Sequence, residues 1–284
     1  MREIVVLSGK GGTGKTTMVG VLATLGQDAV LADTDVDAAN LHLLLSPVVV
    51  EKEPFFGAKV PVVNRLKCTD CGICTELCRF DAIRDGEVDE VACEGCGVCF
   101  HACTAGAITL KDVLSGHVYT TETPYGPFVY AELLVAQENS GKLVIRVKEK
   151  ARQTAEKQGK AWLVVDGPPG IGCPVIASAS GADLLLAVTE PSAAGLHDLV
   201  RVVGLARHFR TRAAVCVNKA SLDEAAALMI EKYCHEEGVP FLGRIPFAKG
   251  VVKAQLKRKP GMKNEAGPAA KMMQEVWQRA FALL

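Results

Sequence analysis

The sequence has no excess of either charge: 32 lysines and arginines balance 32 aspartates and glutamates over 284 residues. A balanced chain has no overall electrostatic footprint for nucleic acid. The only dense basic patch, Lys253, Lys257, Arg258 and Lys259, reads as a solvated helix face. Long hydrophobic runs are missing too. No stretch approaches the ~18 apolar residues of a membrane span. The first apolar run, Ile4–Leu7, is too short for a leader and enters a glycine loop directly. These absences point to a soluble, cytoplasmic protein with neither nucleic acid nor a membrane as its partner. What remains is a chain that is 49% hydrophobic, long enough for one large α/β domain and a small module.

Strands are expected at Ile4–Leu7, Ala29–Ala32, Leu163–Val165, Leu184–Val188, Ala213–Val217 and Phe241–Leu242. Helical patterns separate them: Thr16–Leu25, Ser140–Gln158, Gly195–His208, Asp223–Glu236 and Pro268–Leu284. Apolar strands alternating with helices predict a doubly wound, mostly parallel sheet. The stretch from Asn64 to Leu110 breaks the rhythm. It holds eight of the eleven cysteines and repeats itself: Cys68, Cys71, Cys74 and Cys78 recur as Cys93, Cys96, Cys99 and Cys103, and Ala82-Ile83 as Ala107-Ile108. An internal repeat of this kind predicts a separate small module at 61–110, inserted into a domain made of 1–60 and 111–284. Glu51–Val63 reads as the linker in, and Val118–Thr123 as the return to the main sheet.

The glycine loop is GKGGTGKTT, Gly9 to Thr17, and fits G-x-x-x-x-G-K-[ST] between a strand and a helix. Such a loop curls backbone N–H groups around phosphate oxygens, and the helix N-terminus adds a favourable dipole. Gly11, Gly12, Thr13, Gly14, Lys15, Thr16 and Thr17 are therefore the expected phosphate-binding residues. Lys15 should reach the β/γ-phosphates and Thr16 should ligate Mg²⁺.

A second lysine, Lys10, is not needed for that task. The pattern K-G-G-x-G-K-[ST] resembles the deviant Walker A of the MinD/ParA/Mrp ATPases and the nitrogenase iron protein. The resemblance covers most of the chain, roughly 1–46 and 120–284. It implies that Lys10 acts across an ATP-sandwich dimer as a transition-state cation. Val30-Leu31-Ala32-Asp33-Thr34-Asp35-Val36-Asp37 resembles the family's first switch. Asp35 matches the residue that orients the attacking water, while Asp33 and Asp37 are weaker candidates. Leu163–Gly170 resembles Walker B running into the second switch, with Asp166 on Mg²⁺ through water. Asn218 and Lys219 resemble the base-recognition element, and Pro246 belongs to a loop expected to close over the base. Ser221 stands where GTP-specific enzymes carry aspartate, which favours ATP.

C-x-x-C-x-x-C-x-x-x-C, twice, resembles a bacterial two-cluster ferredoxin. That resemblance assigns Cys68, Cys71, Cys74 and Cys103 to one [4Fe-4S] cluster, and Cys93, Cys96, Cys99 and Cys78 to the other. The usual proline after the fourth cysteine is replaced by Arg79 and Thr104. Zinc is the competing metal, but it usually takes two separated C-x-x-C pairs. Cys216 and Cys234 read as inert core thiols. Cys173, just beyond the second switch, stands at a distance similar to that of a cluster ligand in the nitrogenase iron protein. No second cysteine lies between Val118 and Leu134, so a bridging cluster on Cys173 would be under-ligated. Both packing and a metal or redox role stay open for it. Met273, Val276, Trp277, Ala280, Phe281 and Leu284 share one helical face, expected to dock on the sheet rather than on a membrane surface.

The combination implies an ATP-hydrolysing iron–sulfur protein holding ATP, Mg²⁺ and two [4Fe-4S] clusters. It would form a homodimer, or a heterodimer with a similar ATPase, and couple turnover to electron transfer or metallocofactor assembly with a partner protein. The alternatives are an Mrp-like cluster carrier, though no late C-x-x-C is present, and a MinD/ParA-type positioning ATPase.

Overall fold

The computed structural model describes residues 1–134, 140–258, 260 and 267–284. In chain order the strands and helices are β1 (Arg2–Ser8), α1 (Lys15–Ala23), β2 (Ala29–Asp33), α2 (Leu41–Leu45), β3 (Val48–Val63), α3 (Ile73–Glu76), β4 (Ile83–Arg84), β5 (Glu87–Val88), α4 (Val98–Ala102), β6 (Ile108–Thr123) and β7 (Gly126–Leu133). There follow α5 (Ser140–Lys157), β8 (Trp162–Pro169), α6 (Cys173–Ala179), β9 (Leu184–Thr189), α7 (Ala193–His208), β10 (Arg212–Val217), α8 (Glu224–Glu236), β11 (Phe241–Arg244), α9 (Lys249–Leu256) and α10 (Gly267–Ala282).

Nine of the eleven strands form a sheet ordered β11-β10-β9-β1-β8-β2-β7-β6-β3, and β4 and β5 pair separately. From β11 to β7 every neighbouring pair is parallel. β7 follows β6 after only Pro124 and Tyr125 and pairs beside it, which requires an antiparallel return. The sheet is therefore mixed but mostly parallel. Ile4, Val5, Val6 and Leu7 are all fully buried, as are Leu184, Leu185 and Leu186. Strands covered on both faces need apolar side chains in both directions, which is why these runs lack alternation.

The chain divides into two compact units. One comprises Met1–Lys52, Val118–Glu132 and Ser140–Leu284. Its core packs Ile4, Val6, Met18, Leu22, Leu31, Leu186, Met273 and Val276 around a fully buried Trp277. The indole N–H of Trp277 donates to the Met18 carbonyl at 2.7 Å, tying α10 to α1. The apolar stripe of the last helix is thus core, with Phe281 and Leu284 packed at its edge. No described helix is long and apolar enough to cross a membrane. Of the basic patch, Lys253 lies on α9, Lys257 and Arg258 follow it, and Lys259 lies outside the described residues.

The second unit comprises Glu53–His117 with Leu133 and Leu134. Its small core contains Ala82, Ile83, Ala107 and Ile108, the repeated apolar pair, all at most 4% exposed. The expected linker over Glu51–Val63 is instead part of a 16-residue strand, β3. Valines at 48–50 and phenylalanines at 55 and 56 favour a pleated conformation, and Pro54 and Pro61 are compatible with an end strand of the sheet.

Candidate nucleotide and thiol sites

The glycine loop joins the buried end of β1 to α1. Gly14 caps α1 at φ 100°, in the left-handed region. A Cβ there would stand 2.3 Å from the Asn218 amide nitrogen, so the position excludes any side chain. Lys15 is buried and its Nζ donates to Ser8 Oγ at 2.8 Å, while Ser8 Oγ donates to the Lys10 carbonyl at 2.6 Å. Burial lowers the Lys15 ammonium below its ordinary range, and Asp166, Asp35 and Asp33 oppose that shift.

A cavity of about 530 Å³ opens over the loop. Among the residues expected from sequence, Gly12, Gly14, Lys15, Thr16, Thr17, Asn218, Lys219 and Pro246 line it. Gly11 and Thr13 belong to the loop but not to this wall. The sequence reading missed Asn40, Leu43 and Leu44 from the α2 region, and Phe247, Val251, Val252 and Gln255 from the α9 region. These make one side of the cavity apolar. The volume falls in the range of small-molecule and cofactor pockets. Asn218 lines the cavity, yet its amide is already committed: Nδ2 donates to the Thr13 carbonyl at 2.7 Å, and Oδ1 accepts from the Lys219 N–H at 2.9 Å. It braces the phosphate loop from the end of β10.

Asp166 sits on β8 with both carboxylate oxygens buried and without a hydrogen-bond partner. Burial pushes its carboxyl up to about 7; the facing Thr16 hydroxyl, which falls short of hydrogen-bond geometry, and Lys15 pull the other way. Orphaned carboxylate oxygens beside a threonine hydroxyl are a donor set that suits Mg²⁺. Asp33, paired in register with Asp166 across β2 and β8, is buried as well. It accepts from the Asp35, Asn40 and Leu41 N–H groups at 3.0, 3.1 and 3.0 Å, so it ties the loop after β2 to the start of α2. Asp35 is half-buried; burial raises its carboxyl and Lys15 lowers it. Asp37 is exposed. Lys10 pairs with Glu190 at 2.8 Å, a partner that no motif announced.

In the second unit the repeat extends to the backbone. Gly72 and Gly97 cap α3 and α4 in the same left-handed conformation. The Ala82 N–H donates to Cys78 Sγ at 3.4 Å, and the Ala107 N–H to Cys103 Sγ at 3.3 Å. Cys68, Cys71, Cys74 and Cys103 line one cavity of about 280 Å³. Cys78, Cys93, Cys96 and Cys99 line another that is nearly closed, about 20 Å³. Burial, and then the nearby Cys93 and Cys96, push the Cys99 thiol up. Among the described residues no three of His, Cys, Asp and Glu converge tightly enough for a single metal ion. What the structure brings together is two sets of four thiols.

Cys216 and Cys234 are fully buried, in keeping with core thiols. Cys173 is exposed at the first turn of α6 and lines a cavity with Lys142, Lys148, Arg152 and Phe209, so it does not fill the core.

Several known proteins are similar to this chain. An uncharacterized protein of Methanocaldococcus jannaschii is 32% identical over 224 residues, covering 78% of this chain and 79% of its own length. An iron-sulfur cluster carrier protein of Pyrococcus horikoshii is 23% identical across 98% of this chain and 84% of its own. The crystal structure of the Pyrococcus furiosus cell division ATPase MinD superposes with a TM-score of 0.59 over 100% of this chain and 99% of that one, at 18% identity, a likeness of fold. Residues 4–260, from the first strand to beyond α9, match the CobQ/CobB/MinD/ParA nucleotide binding domain, and the chain belongs to that family of P-loop ATPases.

Proposed function

We propose that the chain is an ATP-hydrolysing iron–sulfur protein that works as a nucleotide-gated dimer, with a second copy or with a similar ATPase. Turnover is coupled to electron transfer or to metallocofactor assembly on a partner protein. The observation that carries this reading is the sorting of eight thiols into two sets of four, in a chain that also holds a cavity lined by Gly12, Gly14, Lys15, Thr16 and Thr17 of the glycine loop. In that reading Lys15 and the loop N–H groups bind the β/γ-phosphates, Thr16 and Asp166 hold Mg²⁺, Asp35 orients water, and Lys10 reaches phosphates bound by the facing subunit. The cysteines hold two [4Fe-4S] clusters, Cys68, Cys71, Cys74 and Cys103 one, Cys93, Cys96, Cys99 and Cys78 the other. Bound clusters would supply one-electron storage. N–H donors to Cys78 and Cys103 are the contacts that stabilise thiolate sulfur.

Anaerobic purification with iron and sulfide analysis, beside an ATPase assay of Lys10→Ala, tests this. About eight irons and eight sulfides per chain are expected, with ATPase lost in the variant. Zinc in place of iron, or full activity in Lys10→Ala, overturns it. A second reading, an iron–sulfur cluster carrier, is favoured by the Pyrococcus horikoshii relative. It expects an intact cluster to pass to an apo-protein, where the redox reading expects ATP to change a cluster potential or a transfer rate.

A further inference from the structure

Glu190 follows β9 directly and stands between two lysines. Its Oε2 meets Lys10 Nζ at 2.8 Å and its Oε1 meets Lys219 Nζ at 2.5 Å. Lys219 Nζ also donates to the Gly12 carbonyl at 2.9 Å. Burial alone would raise the Glu190 carboxyl; the two ammonium groups hold it below the usual range instead. The turn that presents Glu190 is rigid. Thr189 Oγ1 donates to the Gly195 carbonyl at 2.9 Å, Ser192 Oγ accepts from the Gly195 N–H at 3.0 Å, and the Asn218 N–H donates to the Thr189 carbonyl at 2.8 Å. A Cβ on Gly195 would lie 2.2 Å from the Glu190 carbonyl oxygen, so the turn closes only over glycine. Lys10, by contrast, has a side chain 38% exposed on an open loop. The ion pair therefore folds a partly exposed cation back onto an anion held by its own subunit, next to Lys219 and Gly12.

We propose that Glu190 is a positioning residue that latches Lys10 in the unpaired subunit, so that hydrolysis waits until a facing triphosphate outcompetes the carboxylate. The latch rests on the paired-subunit reading above. It separates two tasks of one loop: Lys15 holds the subunit's own nucleotide at all times, while Lys10 is released only on pairing. An isolated subunit then binds ATP without spending it.

The test uses the full chain, with ATPase rate followed against protein concentration at saturating Mg-ATP for wild type, Glu190→Gln, Lys10→Ala and the double variant. Glu190→Gln is expected to lower the concentration for half-maximal rate about two- to fivefold, the strength of an ion pair at this exposure. Sedimentation with a non-hydrolysable ATP analogue should show the same shift. The double variant should stay as inactive as Lys10→Ala. Glu190→Asp, still anionic but too short to span both lysines, covers a failure of Glu190→Gln to fold and should shift the same way by less. A folded variant whose midpoint equals or exceeds that of wild type, with Lys10→Ala inactive, overturns the latch alone. A wild-type rate independent of protein concentration overturns the paired-subunit reading and the latch with it.

Discussion

Single residues divide the eleven cysteines into chemically different classes. Cys216 and Cys234 are fully buried, and burial pushes each thiol up to about 12. The thiolate is the nucleophile, so at pH 8 about one part in ten thousand of either is reactive, even before access is counted. Cys173 is exposed. Native alkylation with iodoacetamide at pH 8, read by peptide mass, should label Cys173 and leave Cys216 and Cys234 unmodified until the protein is denatured. Labelling of Cys216 at a rate near that of Cys173 would show that β10 opens far more readily than its packing implies. The sequence separated these three only partly. The end of an expected strand marked Cys216 as core, and a place within an expected helix marked Cys234. Cys173 sits in a Gly/Pro-rich stretch where no periodicity says whether a side chain points inward.

At the scale of elements, legibility followed burial. β1, β8, β9 and β10 were readable because strands covered on both faces must be apolar throughout. β3 was not: its first five residues are exposed, and prolines at 54 and 61 mimic a linker. α2 and α9 have five and eight residues, too short for a helical period to stand out, yet they build the apolar wall of the nucleotide cavity. Asn218 shows another limit. Sequence placed it at the end of the right strand, but the direction of its amide depends on the Thr13 carbonyl, which is far away in the chain. The last helix was legible through its stripe. Trp277 is its anchor, fully buried and hydrogen-bonded to Met18. Trp277→Ala should cost about 3–5 kcal/mol, mainly through the cavity left behind. Urea denaturation should show the lower midpoint with little change in slope. A loss under 1 kcal/mol would mean that α10 is an accessory to the core rather than part of it.

The molecule as a whole joins a large nucleotide-binding unit to a small one with a sparse apolar core. The second unit buries few large side chains, and its repeated Ala-Ile pairs are its clearest core. Units this poor in core commonly gain stability from bound metal. The ferredoxin resemblance implies crossed sets, each taking its last thiol from the other repeat. In the structure Cys103 shares a cavity with Cys68, Cys71 and Cys74, and Cys78 shares the other with Cys93, Cys96 and Cys99. Each half lends its last cysteine to the other, so losing one ligand should damage a centre built from both. This fixes a pattern among serine variants of the anaerobically prepared protein. Cys103→Ser should leave the same residual iron content and electron paramagnetic spectrum as Cys68→Ser, and Cys78→Ser should match Cys93→Ser. The two classes should differ from each other, since each leaves a different set of four thiols intact. If Cys78→Ser instead matches Cys68→Ser, the halves bind separately and the crossed arrangement of thiols is not the one that holds metal.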